Sequence, residues 1–276
     1  MTINELIAKS EDFISSSKGN YIDGKSAPNE DNANLRIFDS PLIGFGSPDD
    51  LLYNKFASSE VASEDFLLPK QWLSGAKTVV SVFMPYGQAI KKSNAEDFSW
   101  PSIMWLYARY EGQLFIREFA RYLCNLFEEH GAKSVIPAAD PRYKTGDTRD
   151  KSGGEKERFL SNWSERHVAY ACGLGTFGLS KGLITEKGTC GRFCSLVTEI
   201  DFPKTERNYI GVYDYCNNCG DCIRNCPVNA VSEEEGKNDL LCSNFLDKTF
   251  EKHNPRYGCG KCQVGVSCES HIPLRK

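Results

Sequence analysis

The feature that most constrains this chain is the cysteine run "CNNCGDCIRNCP", which contains Cys216, Cys219, Cys222 and Cys226 and ends at Pro227. The pattern C-x2-C-x2-C-x3-C-P is typical of bacterial ferredoxins. Three thiolates at this spacing on a tight loop can bind three irons of one 4Fe-4S cluster. The fourth thiolate lies further along and binds a different cluster, and the proline stops a helix from continuing. The run therefore predicts two 4Fe-4S clusters.

Two clusters need four further cysteines, and the sequence supplies them downstream of the run. We assign the first cluster to Cys216, Cys219, Cys222 and Cys268, and the second to Cys226, Cys242, Cys259 and Cys262. Structural zinc on paired C-x2-C motifs is the alternative, but zinc requires neither the third C-x2-C step nor the proline. Five residues separate Cys262 from Cys268, more than is usual in ferredoxin-like sequences, so Cys268 is the least regular ligand.

The residues before the cysteine run have the pattern of a mixed α/β fold. Apolar, β-branched runs predict strands, and amphipathic runs predict helices. The predicted strands cover 77–86, 134–138 and 191–200, the predicted helices cover 111–131 and 155–172, and a polar loop covers 139–154. The fold class is therefore α/β (α+β). A cofactor-binding domain is expected over residues 1–205, followed by a ferredoxin-like domain with both clusters over 206–276.

A glycine pattern, G-x-G-x-x-G, occurs at Gly173, Gly175 and Gly178. In a dinucleotide-binding turn this pattern follows a strand and opens a helix. Here a predicted helix precedes it, and Gly173 has the position of a glycine that ends that helix. A dinucleotide turn is therefore not favoured. Two interpretations stay open, a purely structural turn and a backbone platform for another flat or anionic cofactor.

Composition and charge exclude several other classes of protein. The net charge of −4 gives no electrostatic reason to expect nucleic acid. The N-terminus lacks the pattern of a signal peptide, and no apolar run reaches the roughly 20 residues that span a bilayer. A cytoplasmic location without membrane contact is expected. The cysteines outside the two sets are expected to be structural, namely Cys124, Cys172, Cys190 and Cys194.

Several segments together resemble one known family. They are "KTVVSVFMPY" (77–86), "YARYEGQLF" (107–115), "SERHVAYACGLGTFGLSKGLIT" (164–185) and "SLVTEI" (195–200), followed by the two cysteine sets. This combination is similar to the epoxyqueuosine reductases, relatives of the corrinoid reductive dehalogenases, and the similarity covers most of residues 35–273. The resemblance implies a nitroreductase-like α/β domain that binds base-off cobalamin, and two 4Fe-4S clusters that pass electrons to the cobalt.

The resemblance also implies site residues and partners. The loop beside the corrin would consist of Gly173, Leu174, Gly175, Thr176, Phe177 and Gly178. The dehalogenases use a tyrosine as proton donor beside a basic residue, and Tyr107 and Arg109 are candidates by residue type. The loop 139–154 is expected to face the substrate, a small or protein-bound molecule. A low-potential ferredoxin or flavodoxin would donate electrons, and a homodimer is possible by analogy.

The sequence also departs from the resemblance. Phe159 stands where the reductases of modified tRNA have a catalytic aspartate, six residues before Glu165. The chain ends soon after Cys268, so the helical-repeat domain that helps bind tRNA is expected to be absent, and tRNA is not an expected partner. Three functions stay open: a corrinoid-dependent reductase of an unidentified substrate, an electron-transfer or corrinoid-reducing partner protein without turnover of its own, and a flavin protein.

Overall fold

The computed structural model describes residues 1–24, 27, 32–58, 60–146 and 160–274. At its centre lies an antiparallel sheet with the strand order β1 (Leu42–Gly46), β2 (Thr78–Pro85), β6 (Gly191–Thr198) and β3 (Ser134–Val135). Strands β2 and β6 pair over their full length, with Val80 opposite Leu196. The predicted strands at 77–86 and 191–200 are thus confirmed, whereas the strand predicted at 134–138 is limited to two residues.

Helices cover both faces of the sheet, and every residue of β2 is therefore buried. Successive side chains of a strand point to opposite faces. Val80 and Val82 accordingly pack in one core with Leu6, Phe119 and other residues of two helices, α1 (Ile3–Ser16) and α5 (Ile103–Glu129). Phe83 packs in a second core on the other face, together with α2 (Leu52–Phe56), α3 (Pro69–Trp72) and α6 (Glu165–Ala171). The arrangement is a mixed α/β fold of three layers.

The long helix α5 contains 27 residues and spans one face of the sheet. It begins at Ile103, earlier than the predicted start at 111, because the hydroxyl of Ser102 accepts a hydrogen bond from the Trp105 backbone N–H (3.1 Å) and caps the first turn. At its C-terminal end, Gly131 has a positive φ of 75° and turns the chain towards β3.

The helix predicted over 155–172 is wrong in part. Of its described residues, only Glu165–Ala171 are helical, and 160–164 are not. The reason is Asn162, whose side chain accepts from the Lys144 backbone N–H (2.8 Å) and donates to the Arg142 carbonyl (2.9 Å). These bonds tie residues 160–164 to the neighbouring loop instead of a helix. Residues 155–159 lie outside the described part of the chain, as do residues 147–154 of the predicted loop.

The C-terminal part consists of short elements: α7 (Asp221–Arg224), a hairpin of β7 (Val231–Ser232) and β8 (Gly236–Lys237), and α8 (Asp239–His253). A short α4 (Gln88–Ala95) and the hairpin of β4 (Gly175–Phe177) and β5 (Leu183–Thr185) precede it in the chain. Residues 199–220 form neither helix nor strand and connect it to the sheet. The division into domains at 205 and 206 stays a prediction.

Among the described residues, no helix is both long enough and apolar enough to cross a membrane.

Candidate functional site

The four cysteines assigned to the first cluster line one small cavity. Cys216, Cys219 and Cys222 reach it from the loop before α7 and from α7 itself, and Cys268 reaches it from the C-terminal segment. The remaining lining is formed by the β4–β5 turn and by neighbouring loops, and includes Gly178, Leu179, Ile184 and Val266. Four thiols around one enclosed space match the ligand set of a 4Fe-4S cluster.

Two residues explain how the irregular spacing before Cys268 is accommodated. Asp221, at the start of α7, accepts hydrogen bonds from the Ser267 backbone N–H (2.8 Å) and hydroxyl (2.6 Å). Asn225 donates to the carbonyls of Val264 (3.0 Å) and Gly265 (3.2 Å). The extra residues therefore form a loop that is held against α7, and Cys268 follows it directly into the cavity.

The second set of cysteines lies beside the first, close enough for the thiol of Cys262 to interact electrostatically with that of Cys222. The thiol of Cys262 interacts electrostatically with those of Cys242 and Cys226, and the thiol of Cys259 interacts with those of Cys262 and Cys242. Cys226 Sγ also accepts a hydrogen bond from the Ala230 backbone N–H (3.1 Å). The structure thus brings together the members of each predicted set. That each set binds a cluster stays a prediction.

Three of the assigned thiols are held in their protonated form at neutral pH by burial in the metal-free protein. Burial raises the pKa of Cys222, Cys259 and Cys268 to about 12, and neighbouring thiols add to the rise. Cluster assembly must therefore displace protons, since only thiolates bind iron. In the described part of the chain, no three His, Cys, Asp or Glu side chains are arranged to hold a single metal ion.

The glycine pattern forms the junction between α6 and the β4–β5 hairpin. Gly173 has a φ of 81°, and two hydrogen bonds, from Gly173 N–H to Tyr170 O (3.3 Å) and from Leu174 N–H to Ala169 O (3.0 Å), form a Schellman motif. A Cβ on Gly175 would overlap the Ile184 carbonyl oxygen. The protein itself thus requires both glycines.

Of the six predicted loop residues, Gly178 lines the cavity of the first cysteine set, whereas Leu174, Thr176 and Phe177 are buried within the protein. The hydroxyl of Thr176 accepts from the Tyr215 backbone N–H (2.8 Å), one residue before the cysteine run. The loop therefore connects α6 to the first cysteine set. Contact between this loop and a corrin stays a prediction.

The predicted proton donor and its basic neighbour lie on α5 and have separate partners. Tyr107 is buried, and its hydroxyl accepts from the Asp23 backbone N–H (3.1 Å). The guanidinium of Arg109 lies 4.3 Å from the centre of the Tyr257 ring. Tyr107 borders a groove formed with residues 18–24, and none of the described residues that line this groove is a cysteine. Their catalytic roles stay predictions, and Phe159 lies outside the described residues.

Glu165 is a functional candidate that the sequence reasoning missed. Both of its carboxyl oxygens are buried, and among the described residues neither has a hydrogen-bond partner of good geometry, although the Ser195 hydroxyl is close. Burial raises its pKa to about 7, and the nearby Ser195 hydroxyl offsets this only partly. A buried polar group without a partner points to a bound group that would satisfy it. A carboxyl group with this pKa can also hold or release a proton near neutral pH. Its position six residues after Phe159 was the available signal.

No known family model matches this chain. A curated epoxyqueuosine reductase from Bacillus anthracis is 22% identical over 216 residues, which cover 71% of this chain and 49% of that protein. The chain thus spans about half the length of that relative. The structure of epoxyqueuosine reductase from Streptococcus thermophilus superposes with a TM-score of 0.51 at 18% identity, covering 99% of this chain and 68% of that one. A catabolic reductive dehalogenase superposes with a TM-score of 0.50 at 16% identity, covering 84% and 30%.

Proposed function

Because this chain is related to the epoxyqueuosine reductases and shares its fold with a corrinoid reductive dehalogenase, we propose that it is an iron–sulfur reductase. Two 4Fe-4S clusters in the C-terminal part would deliver single electrons to a base-off corrinoid in a nitroreductase-like N-terminal domain. A low-potential carrier such as ferredoxin or flavodoxin would supply those electrons.

The observation that carries this proposal is the convergence of Cys216, Cys219, Cys222 and Cys268 on one cavity. Three of them lie on one loop and its helix, but Cys268 is distant in sequence and is held in place by Asp221 through Ser267. Cysteines that only pack in the protein interior would not need to line a common cavity. The second set repeats the grouping with residues from α8 and the C-terminal loop.

The N-terminal domain would contribute Glu165 to the bound cofactor or substrate. When bound, the clusters supply one-electron transfer and the corrinoid supplies a strong reductant. Glu165 would donate a hydrogen bond or a proton to the bound group, because its carboxyl is buried, lacks a well-formed hydrogen bond among the described residues, and has a pKa that burial raises to about 7. The hydroxyl of Tyr143 lies close enough for its pKa to be raised by Glu165, after the larger effect of burial, and would face the same group.

The substrate would be a small or protein-bound molecule. One structurally similar epoxyqueuosine reductase was solved with a modified tRNA stem loop, and one similar dehalogenase with 3-bromo-4-hydroxybenzoic acid. The net charge of −4 offers little attraction for an RNA backbone. We therefore favour the second kind of ligand.

A second function is an electron-transfer or corrinoid-reducing protein that acts on a partner's cofactor. It is favoured by Phe159, a residue that cannot donate a proton at the position of the catalytic aspartate. Such a protein would oxidise the reduced carrier only when its partner is present. A flavin in place of the corrinoid is the remaining variant, and extraction of the cofactor would distinguish the two.

The test is anaerobic reconstitution of the full chain with iron, sulfide and cobalamin, followed by iron analysis and EPR. We expect about eight irons per chain, and a change in the visible spectrum of added cobalamin. The Cys268→Ser variant should lose about half of the iron. The matched control is Cys124→Ser, since Cys124 lies on α5 outside both sets and should be replaceable without loss. Equal iron contents in both variants would contradict the proposed ligand set, and an unchanged cobalamin spectrum would contradict the corrinoid.

A further inference from the structure

A buried positive charge lies beside the second cysteine set and interacts electrostatically with the thiol of Cys259. Lys261 lies between Cys259 and Cys262 in sequence and is completely buried. Its Nζ donates hydrogen bonds to the backbone and side-chain oxygens of Asn94, at 2.6 and 3.0 Å. In the part of the chain that the structure describes, no carboxylate forms an ion pair with this ammonium. The exposed Asp97 interacts with it only at longer range.

Two further cations approach the same thiols. Arg166, in the first turn of α6, and Lys237, at the end of β8, both interact electrostatically with the thiols of Cys262 and Cys242. Among the described residues, the carboxylates that interact with these three cations are Asp239 and the exposed Asp97, and Asp239 also forms an ion pair with a further lysine at 3.1 Å. Positive groups of the described part of the chain therefore outnumber negative groups around the second set.

The surroundings of the first set differ in charge. The polar side chains that line its cavity are uncharged, namely Ser180, Thr189, Asn217 and Asn218. The carboxylate of Asp221 is within hydrogen-bonding reach of Cys219. Its partner Arg224 has a side chain that is 65% exposed, so solvent screens the positive charge. The cations near the first set are this exposed Arg224, which donates to the Cys219 carbonyl (3.1 Å), and one buried lysine, Lys91, which donates to Ser270 two residues after Cys268. Among the described residues, the first set thus has fewer buried cations beside it than the second.

The two environments have a predictable effect on redox chemistry. A cluster held by four thiolates becomes more negative when it gains an electron, so a buried cation stabilises the reduced form. We infer that Lys261, assisted by Arg166 and Lys237, gives the second cluster the higher reduction potential. The second cluster is then the one that holds the first electron at equilibrium. This inference rests on the proposed function, since it presupposes both clusters.

The step balances as a one-electron transfer without a change in bonding. A low-potential one-electron carrier would reduce the first cluster and would itself be oxidised. One electron would then pass to the second cluster, so that the second is reduced by one electron and the first is oxidised again. The step requires no proton. The difference in charge thus directs electrons towards Arg166, which lies on the same helix as Glu165.

The test is a redox titration of the reconstituted full chain, monitored by EPR and with dithionite as reductant. The signal of the second cluster is identified as the one that is lost in Cys262→Ser. Lys261→Met removes the charge but retains a long apolar side chain. We expect it to shift the distribution of the first electron away from the second cluster by about tenfold, equivalent to 59 mV for a one-electron couple. Lys261→Arg should restore the distribution, because it restores the charge.

The matched control is Lys91→Met, which removes another buried lysine. The Nζ of Lys91 donates to the Ser270 hydroxyl (2.7 Å) and not to the second set, so this variant should not move the electron away from the second cluster. Two results would overturn this inference and leave the proposed function intact. One is a Lys261→Met protein with both EPR signals and an unchanged distribution of the first electron between the clusters. The other is a Lys91→Met protein with the same shift as Lys261→Met. A wild-type chain without two clusters would instead overturn the proposed function. If Lys261→Met does not fold, Lys237→Met should give a smaller shift in the same direction, and its absence would overturn the inference.

Discussion

The α/β part and the cysteine-bearing part of this molecule are ordered in different ways. The sheet is covered on both faces, and strand β2 is buried along its whole length. In the cysteine-bearing part, helix α8 buries only Ser243, Phe245 and Thr249. A segment with so little apolar burial gains little from the hydrophobic effect. Under the proposed function, its order would depend on ligation of its cysteines and on its contacts with α5, whereas the sheet would need neither.

The largest expected effect is that of iron removal, which should affect one part and spare the other. After chelation of the reconstituted protein, the amide protons of α8 and of the turn Lys261–Gln263 should exchange orders of magnitude faster, because the thiols no longer connect these segments. The amides of β2 and β6 should keep their protection. Hydrogen exchange read by mass spectrometry measures both. Equal loss in the two parts would show that the sheet depends on iron as well.

The converse test weakens the sheet and leaves the clusters intact. Phe83 is completely buried, and its ring lies 4.7 Å from that of Phe193. Phe83→Ala should lower the free energy of unfolding by about 3–5 kcal/mol in urea, because it leaves a cavity in the core. The control Leu114→Ala removes a side chain that is 51% exposed and should cost less than about 0.5 kcal/mol. Iron content should not change in either variant, and a fall in Phe83→Ala would remove the distinction between the two parts.

A third test addresses the contact between the two parts. Gly188 has a φ of 77°, and a Cβ there would overlap the backbone of Glu269, the residue after Cys268. Gly188→Ala should therefore lower the free energy of unfolding by about 3 kcal/mol and reduce the iron content of the first set.

The matched control for Gly188→Ala is Gly131→Ala. Gly131 has nearly the same φ, 75°, but open space around its Cβ position. Gly131→Ala should lower the free energy of unfolding only by the backbone strain, about 1 kcal/mol, and should leave the iron content unchanged. Equal losses of stability and iron in the two variants would mean that backbone strain alone explains the effect and that the contact with Glu269 is unimportant.

The sequence predicted the central strands well because their signal is local. The runs of Val and Phe in 77–86 and of Phe, Leu and Val in 191–200 are apolar and β-branched, which suits a strand buried on both faces. The C-terminal limit of the helix before Gly173 was also predictable, since a glycine with positive φ ends it. The helical start predicted at 155 failed because the hydrogen bonds of Asn162 to residues distant in sequence override local propensity.

The candidate site was predictable only where spacing alone carries the chemistry. The grouping of eight cysteines followed from the pattern of ferredoxins, and the structure places each set together. The roles proposed for Lys261 and Glu165 rest on the burial of their side chains and on the partners they have among the described residues, which a sequence does not display. The glycine pattern was ambiguous because close packing inside the protein also requires glycine, and the sequence does not reveal that packing. Gly175, for example, lies so close to the Ile184 carbonyl that a Cβ would overlap it.

The smallest expected effect concerns α6, where the two parts meet. Arg166 faces the thiols of the second set, whereas the neighbouring Glu165 is buried on the side of the sheet. Burial raises the pKa of Glu165 from its ordinary 4.5 to about 7, so the folded state binds a proton more tightly than the unfolded state. The free energy of unfolding should therefore fall as the pH rises from 4.5 to 7.

Glu165→Gln removes this dependence, because the amide stays neutral. Relative to the wild type, the variant should gain about 2 kcal/mol in urea unfolding between about pH 5 and pH 7.5. His167, whose pKa burial lowers to about 4, gives a slope of opposite sign in the acidic range, but it is present in both proteins and cancels in the difference. Iron content should be equal in the two, since Glu165 touches no cysteine of either set. If the free energies of unfolding of the two proteins change in parallel with pH, the Glu165 carboxyl has a partner in the folded protein. The argument that Glu165 contacts a bound group would then fail.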